Sequence, residues 1–265
     1  MRKYILGIAG LAAIVLGLTF SSWKSTEPKQ KTESFNQPTT SVSSDSLYRN
    51  YVNGLYAAAH LKEAGLSFPV FEKAVTGFYN LKKSGQLSAK KILTIADFDQ
   101  LSTKKRLYII DLDKKALLLN TWVAHGQNSG ADQATRFSNV NDSNTSSLGF
   151  YVTGEVYRGV HGRSLKLDGM DQGFNNNART RSIVVHGAPY VSTGTINALG
   201  RLGRSQGCPA VAPEVSDLVI NTIGDKTVLF INKSTAAYTS KFLDESLAAS
   251  FAMVQNENMP STQLD

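Results

Sequence analysis

Cys208 is the one cysteine in a chain of 265 residues, and it stands in "GRSQGCPAV" between Gly207 and Pro209. Upstream, His186 closes the apolar run "SIVVHG". A neutral thiol is a weak nucleophile, whereas an imidazole that takes its proton, or pairs with the thiolate, makes it a strong one. These two residue types together are what thiol acyl transfer requires. Gly207 adds a third element, because a tight Gly-Cys turn aims consecutive backbone N–H groups at one point and forms an oxyanion hole for a tetrahedral intermediate. The competing reading is a buried cysteine acting as a small hydrophobe.

The other histidines offer less. His161, in His161-Gly162-Arg163, follows a strand that carries Tyr151 and Tyr157 and is expected to face the cleft as a second polar group that orients substrate; a surface histidine is the alternative. His125 ends a strand with no cysteine beside it, which suits a structural or cleft-lining place, and His60 lies in a helical stretch. No pair among His125, His161, His186 and Cys208 has close ligand spacing such as His-x-x-x-His, so no metal site is expected, and the thiol chemistry needs no cofactor. The net charge of +7 is spread over scattered pairs such as Lys82-Lys83 and Lys114-Lys115, with no nucleic-acid motif among them. A solvated basic surface accounts for it.

Several elements must position this chemistry. Met1-Arg2-Lys3 followed by an apolar run from Tyr4 to Phe20 reads as a signal peptide or an uncleaved N-terminal membrane anchor over residues 1–23, so the chain is expected in the periplasm or cell envelope. In an oxidising compartment an unpaired cysteine is kept for an intermolecular bridge or for its reactivity. Residues 24–44, rich in Ser, Thr, Lys, Gln and Pro, form a flexible linker. Leu47, Tyr51, Leu55 and Ala59 at four-residue spacing predict a helix from Asp45 to Gly65, and Phe71, Val75 and Phe78 predict a second from Ser67 to Gly85 with Pro69 in its first turn. Together they make a helical hairpin, residues 45–91, expected to pack on the catalytic domain.

From Ile92 the period changes to that of strands: "ILTIADF", "RLYIIDL", "ALLLNTWVAHG", "GFYVTGEVY", "SLKLDG", "SIVVHG" and "TVLFIN". Short helices are expected at Ser192–Leu199 and from Pro213, and the polar stretch 126–147 is expected to be a surface excursion or lid. The result is a mostly β catalytic domain over residues 92–233, followed by a tail, 234–265, with a weak amphipathic helix at Phe242, Leu243, Leu247 and Phe251.

"VVHGAPY" and "GRLGRSQGCPAV" taken together resemble the His-Gly … Ser-x-Gly-Cys signature of the murein L,D-transpeptidase catalytic domain, and "SSLGFYVTGE" resembles that family's Thr-Pro-x-Gly-x-Phe strand. The likeness spans roughly residues 107–231. It implies an L,D-transpeptidase-like β-sandwich, with Cys208 as the acylated nucleophile, His186 as the base, and the turn Ser205, Gly207, Cys208 supplying the amides that hold the oxyanion. It also implies peptidoglycan stem peptides as partners and 3→3 cross-links as product, with L,D-carboxypeptidase trimming, or non-catalytic peptidoglycan binding, as alternatives. The family's commoner form has His between Ser and Gly and an Ile/Val-Arg after the cysteine; here those positions hold Gln206 and Pro209-Ala210, as in a divergent branch with Gly-Cys-Pro-Ala-Val. Arg204 or Arg201 is the expected replacement for the missing arginine at a substrate carboxylate, since a guanidinium grips one bidentately. His161 and Gly187 complete the expected substrate-binding set. Sequence leaves the oligomeric state open.

Overall fold

The computed structural model describes residues 44–257; the export segment, nearly all of the linker and the end of the tail lie outside them. Two helices come first, α1 (Ser44–Ala58) and α2 (Phe68–Lys83). The first is shorter than its spacing predicts. His60 takes a left-handed backbone, φ 52°, which breaks the helix and folds Leu61 and Leu66 into the core.

Eight strands follow: β1 (Ile92–Asp97), β2 (Leu107–Asp111), β3 (Ala116–Thr121), β4 (Gly149–Gly159), β5 (Gly162–Gly169), β6 (Val184–Gly187), β7 (Ala210–Val211) and β8 (Val228–Asn232). Between them lie α3 (Thr193–Leu199) and α4 (Pro213–Ile223), and α5 (Glu245–Glu257) follows β8. All eight strands join one sheet in the order β3-β2-β1-β8-β4-β5-β6-β7. The expected mostly β architecture is present, its layers being parts of this one continuous sheet.

Side-chain alternation explains why both faces are covered. Leu93 and Ile95 of β1, Tyr108 and Ile110 of β2, Phe150 of β4, and Val228 and Phe230 of β8 pack against α1, α2 and α5. Their neighbours one residue along, Ala96, Ile109, Tyr151, Leu229 and Ile231, point the other way and meet Val219, Ile220 and Ile223 of α4. Strands buried on both faces read as nearly unbroken apolar runs, as "ILTIAD" does. Leu165 and Val185, from β5 and β6, join the same cluster as β1 and β2, so the sheet curls round α4.

The curl is closed by a segment the sequence reads as strand. "ALLLNTWVAHG" leaves the ladder after Thr121, and its second half crosses to the far edge, where Ala124 pairs with Ala210 of β7 and Gly126 with Ser205. The stretch 126–147 is likewise no free excursion: Ser129, Ala134, Ser146 and Ser147 are buried. The tail belongs to the helical layer. Asn80 of α2 donates to the carbonyls of Phe242 and Asp244 at 2.8 and 2.9 Å, and Ala248, Ala249 and Ala252 are buried on α5. Asp171 accepts from the Tyr238 and Ser240 hydroxyls and from the Phe150 N–H, tying the tail to β4.

Gly77 sets how closely α2 approaches the sheet, because a Cβ there would sit 2.0 Å from the Phe150 ring. Gly77→Ala is therefore expected to destabilise the fold by about 1–3 kcal/mol through overpacking, despite alanine's better helix propensity. A lower urea midpoint at unchanged m-value reports it.

Candidate active site

β6 carries His186 out to the cleft, and β7 runs parallel beside it, with His186 opposite Ala210. That register places Cys208, two residues before Ala210, next to Val184, two residues before His186. The Val184 N–H lies 3.5 Å from Cys208 Sγ, and the thiol donates to the Ser182 carbonyl at 3.7 Å. Ser182 holds a left-handed backbone, φ 53°, costing on the order of 1 kcal/mol, in the turn that presents this carbonyl. Burial pushes the Cys208 thiol up, while the Val184 N–H and the Arg181 guanidinium pull it down.

The His186 ring is buried and its Nδ1 donates to the Gly187 carbonyl at 2.9 Å. A carbonyl only accepts, so the proton sits on Nδ1 and the lone pair on Nε2. Burial, the larger effect, and the neighbouring His161 hold His186 below the ordinary histidine range. It is thus neutral at neutral pH, with the Nε2 lone pair free to accept a proton. His161, at the tip between β4 and β5, stacks on it with ring centroids 4.3 Å apart. Both imidazoles and Cys208 line one cleft of about 740 Å³, walled also by Tyr157, Tyr190, Arg181, Arg204 and Gln206. The thiol's hydrogen bonds are to backbone and not to the imidazole.

Hydroxyl groups shape the turn before Cys208. Ser205 Oγ accepts from the Gly207 N–H at 3.0 Å and donates to the Cys208 carbonyl at 2.6 Å. Gly207 has φ 122°, and a Cβ on it would lie 2.7 Å from the Thr145 carbonyl, so only glycine fits. Ser146 Oγ accepts from the Gly126 N–H and donates to the Gly207 carbonyl, and Ser146's own N–H is held by Ser129 Oγ. The expected use of the Gly207 amide at an oxyanion is therefore not met, since Ser205 already engages it. Among the described residues the Cys208 N–H donates to no protein acceptor.

The remaining expected site residues divide. Arg204 lines the cleft, with Nη1 donating to the Gln127 and Gly130 carbonyls at 3.0 and 2.9 Å. Arg201 does not line it and donates instead to the Leu202 carbonyl. Gly187 faces α4, where a Cβ would meet Ser216 Oγ at 2.9 Å, so its smallness serves strand-on-helix packing and not substrate. Arg181 and the serines of the 126–147 stretch are the residues that sequence reasoning missed; Arg181's place five residues before His186 in "RSIVVH" carries no motif. His125 is structural. Its Nδ1 accepts from Arg106 Nη2 at 2.7 Å, and both side chains are fully buried. Among the described residues no group of three or more His, Cys, Asp or Glu is arranged to hold a metal ion.

A family model described as the L,D-transpeptidase catalytic domain matches residues 62–232, and the chain belongs to that family. Similar solved structures include an L,D-transpeptidase from Mycobacterium smegmatis, at 12% identity and TM-score 0.34, covering 54% of this chain and 59% of that one. Another is L,D-transpeptidase 3 from Mycobacterium tuberculosis, at 11% identity and TM-score 0.36, covering 54% and 62%. A third is the helical cell shape determining protein Pgp2 (K307A mutant) from Campylobacter jejuni, at 15% identity and TM-score 0.39, covering 70% and 64%. The chain spans about three fifths of the length of these structures. No curated protein matches it.

Burial and the Arg106 charge push His125 down to about 4. Below the ordinary histidine value of 6.5 the unfolded chain binds a proton that the folded chain refuses, so stability from this group is complete above pH 6.5 and is lost as pH falls towards 4. The full loss is on the order of 3 kcal/mol. Urea midpoints between pH 7 and pH 4 are expected to fall less steeply for His125→Gln than for the wild-type chain, whatever their absolute values.

Proposed function

We propose that this chain is a cysteine-dependent murein L,D-transpeptidase that acts on peptidoglycan tetrapeptide stems in the cell envelope. The observation that carries the reading is the fixed tautomer of His186, whose Nδ1 is held by the Gly187 carbonyl while the ring shares a cleft with the only thiol in the chain. Among the described residues no helix is long and apolar enough to cross a membrane. Export rests on the apolar run of residues 4–20.

In the reaction, Nε2 of His186 takes the Cys208 proton, and the thiolate attacks the carbonyl of the third, L-centre residue of the stem. Negative charge collects on the carbonyl oxygen, where the Cys208 N–H is the donor that the turn leaves without a protein acceptor. Collapse breaks the peptide bond, and the His186 imidazolium protonates the departing D-alanine amine. An acceptor amine then attacks the thioester, gives up its proton to His186, and frees the thiol, leaving a 3→3 cross-link. Water in place of the amine gives the carboxypeptidase outcome through the same steps. Thiol and imidazole are not hydrogen-bonded in the free cleft, which suits a pair that closes on bound substrate. Arg204 keeps its Nη2 clear of the Gln127 and Gly130 carbonyls that hold Nη1, and it is the side chain proposed to grip a stem carboxylate. His161, against the His186 ring, holds the base in plane.

Mass spectrometry of muropeptides incubated with the purified protein is expected to show 3→3 dimers with the wild-type chain and none with Cys208→Ala, a loss of at least about a thousandfold. Trimmed tripeptides alone would assign the carboxypeptidase outcome, and a Cys208→Ala variant that still altered muropeptides would sink the scheme. Because His186 stays neutral below the ordinary histidine range, the acid limb of kcat/KM is expected below pH 6.5.

A further inference from the structure

We propose that Arg181 is a positioning residue that supplies the fixed positive charge stabilising the Cys208 thiolate; the inference rests on Cys208 being the nucleophile. The side chain leaves the turn before β6 and ends beside the nucleophile's own turn. Its Nη2 lies 3.3 Å from where a Cβ on Gly207 would be. It lines the cleft, half-buried, together with Cys208.

Arg181 combines its place at the nucleophile's turn with partners that carry no charge. Nη1 donates to the Ser138 carbonyl at 2.8 Å and to Ser147 Oγ, and Nη2 donates to Ser143 Oγ at 3.1 Å and to the Thr145 carbonyl at 2.8 Å. All four acceptors are uncharged, so the guanidinium is held rigidly with no carboxylate bonded to it, Asp142 acting on it only through its field. Arg179, by contrast, is matched with the carboxylates of Glu155 and Asp168. With both terminal nitrogens occupied, Arg181 has no fork left for a substrate carboxylate; it acts through its field. In a half-buried site such a charge is poorly screened and favours an anion nearby.

The other ionisable groups around the thiol do not supply that charge. His186, from β6, lines the same cleft and is neutral. Tyr190, from the segment before α3, is held above its ordinary range, at about 12, by burial first and by Cys208 second. Arg204 lines the same cleft but is not among the groups that pull the thiol down, His161 stacks on His186, and Asp142, from the 126–147 stretch, is of the wrong sign. Arg181 is the cation that pulls the thiol downward against its burial.

The test measures alkylation of Cys208 by iodoacetamide in the full chain, read by intact mass from pH 5 to pH 10, with folding checked by thermal melts. Arg181→Gln is expected to raise the midpoint by about one unit, slowing labelling at neutral pH about tenfold, while Arg181→Lys, which keeps the charge but loses the fork, stays near the wild type. An unmoved midpoint in Arg181→Gln, or an equal rise in both variants, overturns the proposal. Should Arg181→Gln fail to fold, Ser143→Asp places a carboxylate on Nη2 and is expected to raise the midpoint likewise; an unmoved midpoint there overturns it too. Alkylation reads the thiol without turnover, so this result stands apart from the muropeptide assay, where survival of activity in Cys208→Ala would refute the nucleophile itself.

Discussion

The cleft depends on one backbone constraint: Gly207, at φ 122°, lies against the Thr145 carbonyl with no room for a side chain. Such a conformation survives only where its surroundings over-determine it. Here Ser205 holds the glycine's N–H, Ser146 holds its carbonyl, and Ser129 holds Ser146 in turn. These hydroxyls are buried and paired, which makes the loop an arrangement with few alternatives, since an unpaired buried hydroxyl would cost about 1–3 kcal/mol. The orientation of the Cys208 backbone follows from them.

His186 is fixed by different means. Sheet register with β7 and β5 sets its Cα, and the Gly187 carbonyl sets its ring and its tautomer. Cys208 and His186 are therefore held by two independent devices, a hydroxyl-clamped turn and a strand end, that meet across β6 and β7. Catalytic groups on rigid elements lose little freedom when substrate arrives. The β4–β5 tip is the contrast: His161, which stacks on the His186 ring, stands there beside a fully exposed Val160.

The sequence shows the fold class wherever periodicity is strong: the two-faced apolar strands, the two amphipathic helices and the Pro213 helix stand close to where their spacing predicts them. It also shows the two chemically unusual residues, Cys208 and His186. It does not show the scaffold between them. "GQNSGADQATRFSNVNDSNTSS" has the composition of a surface loop, and nothing local reveals that Ser129 and Ser146 are buried, because their partners lie far along the chain. Arg181 is hidden for the same reason, its acceptors being carbonyls and hydroxyls dozens of residues upstream. β7 escapes notice because two residues have no period, and "ALLLNTWVAHG" reads as one strand although its halves serve opposite edges of the sheet.

That division of "ALLLNTWVAHG" has a consequence for how a peptide can be recognised. β7 is the terminal strand of the ladder, where extended peptides commonly add themselves as a further strand. Ala124 already occupies that side, its N–H donating to the Ala210 carbonyl at 2.8 Å. β7 thus offers no open backbone edge at Ala210 for an incoming chain to zip onto. At Ala210, recognition of any extended chain is left to the side chains around the cleft, because main-chain pairing is already taken.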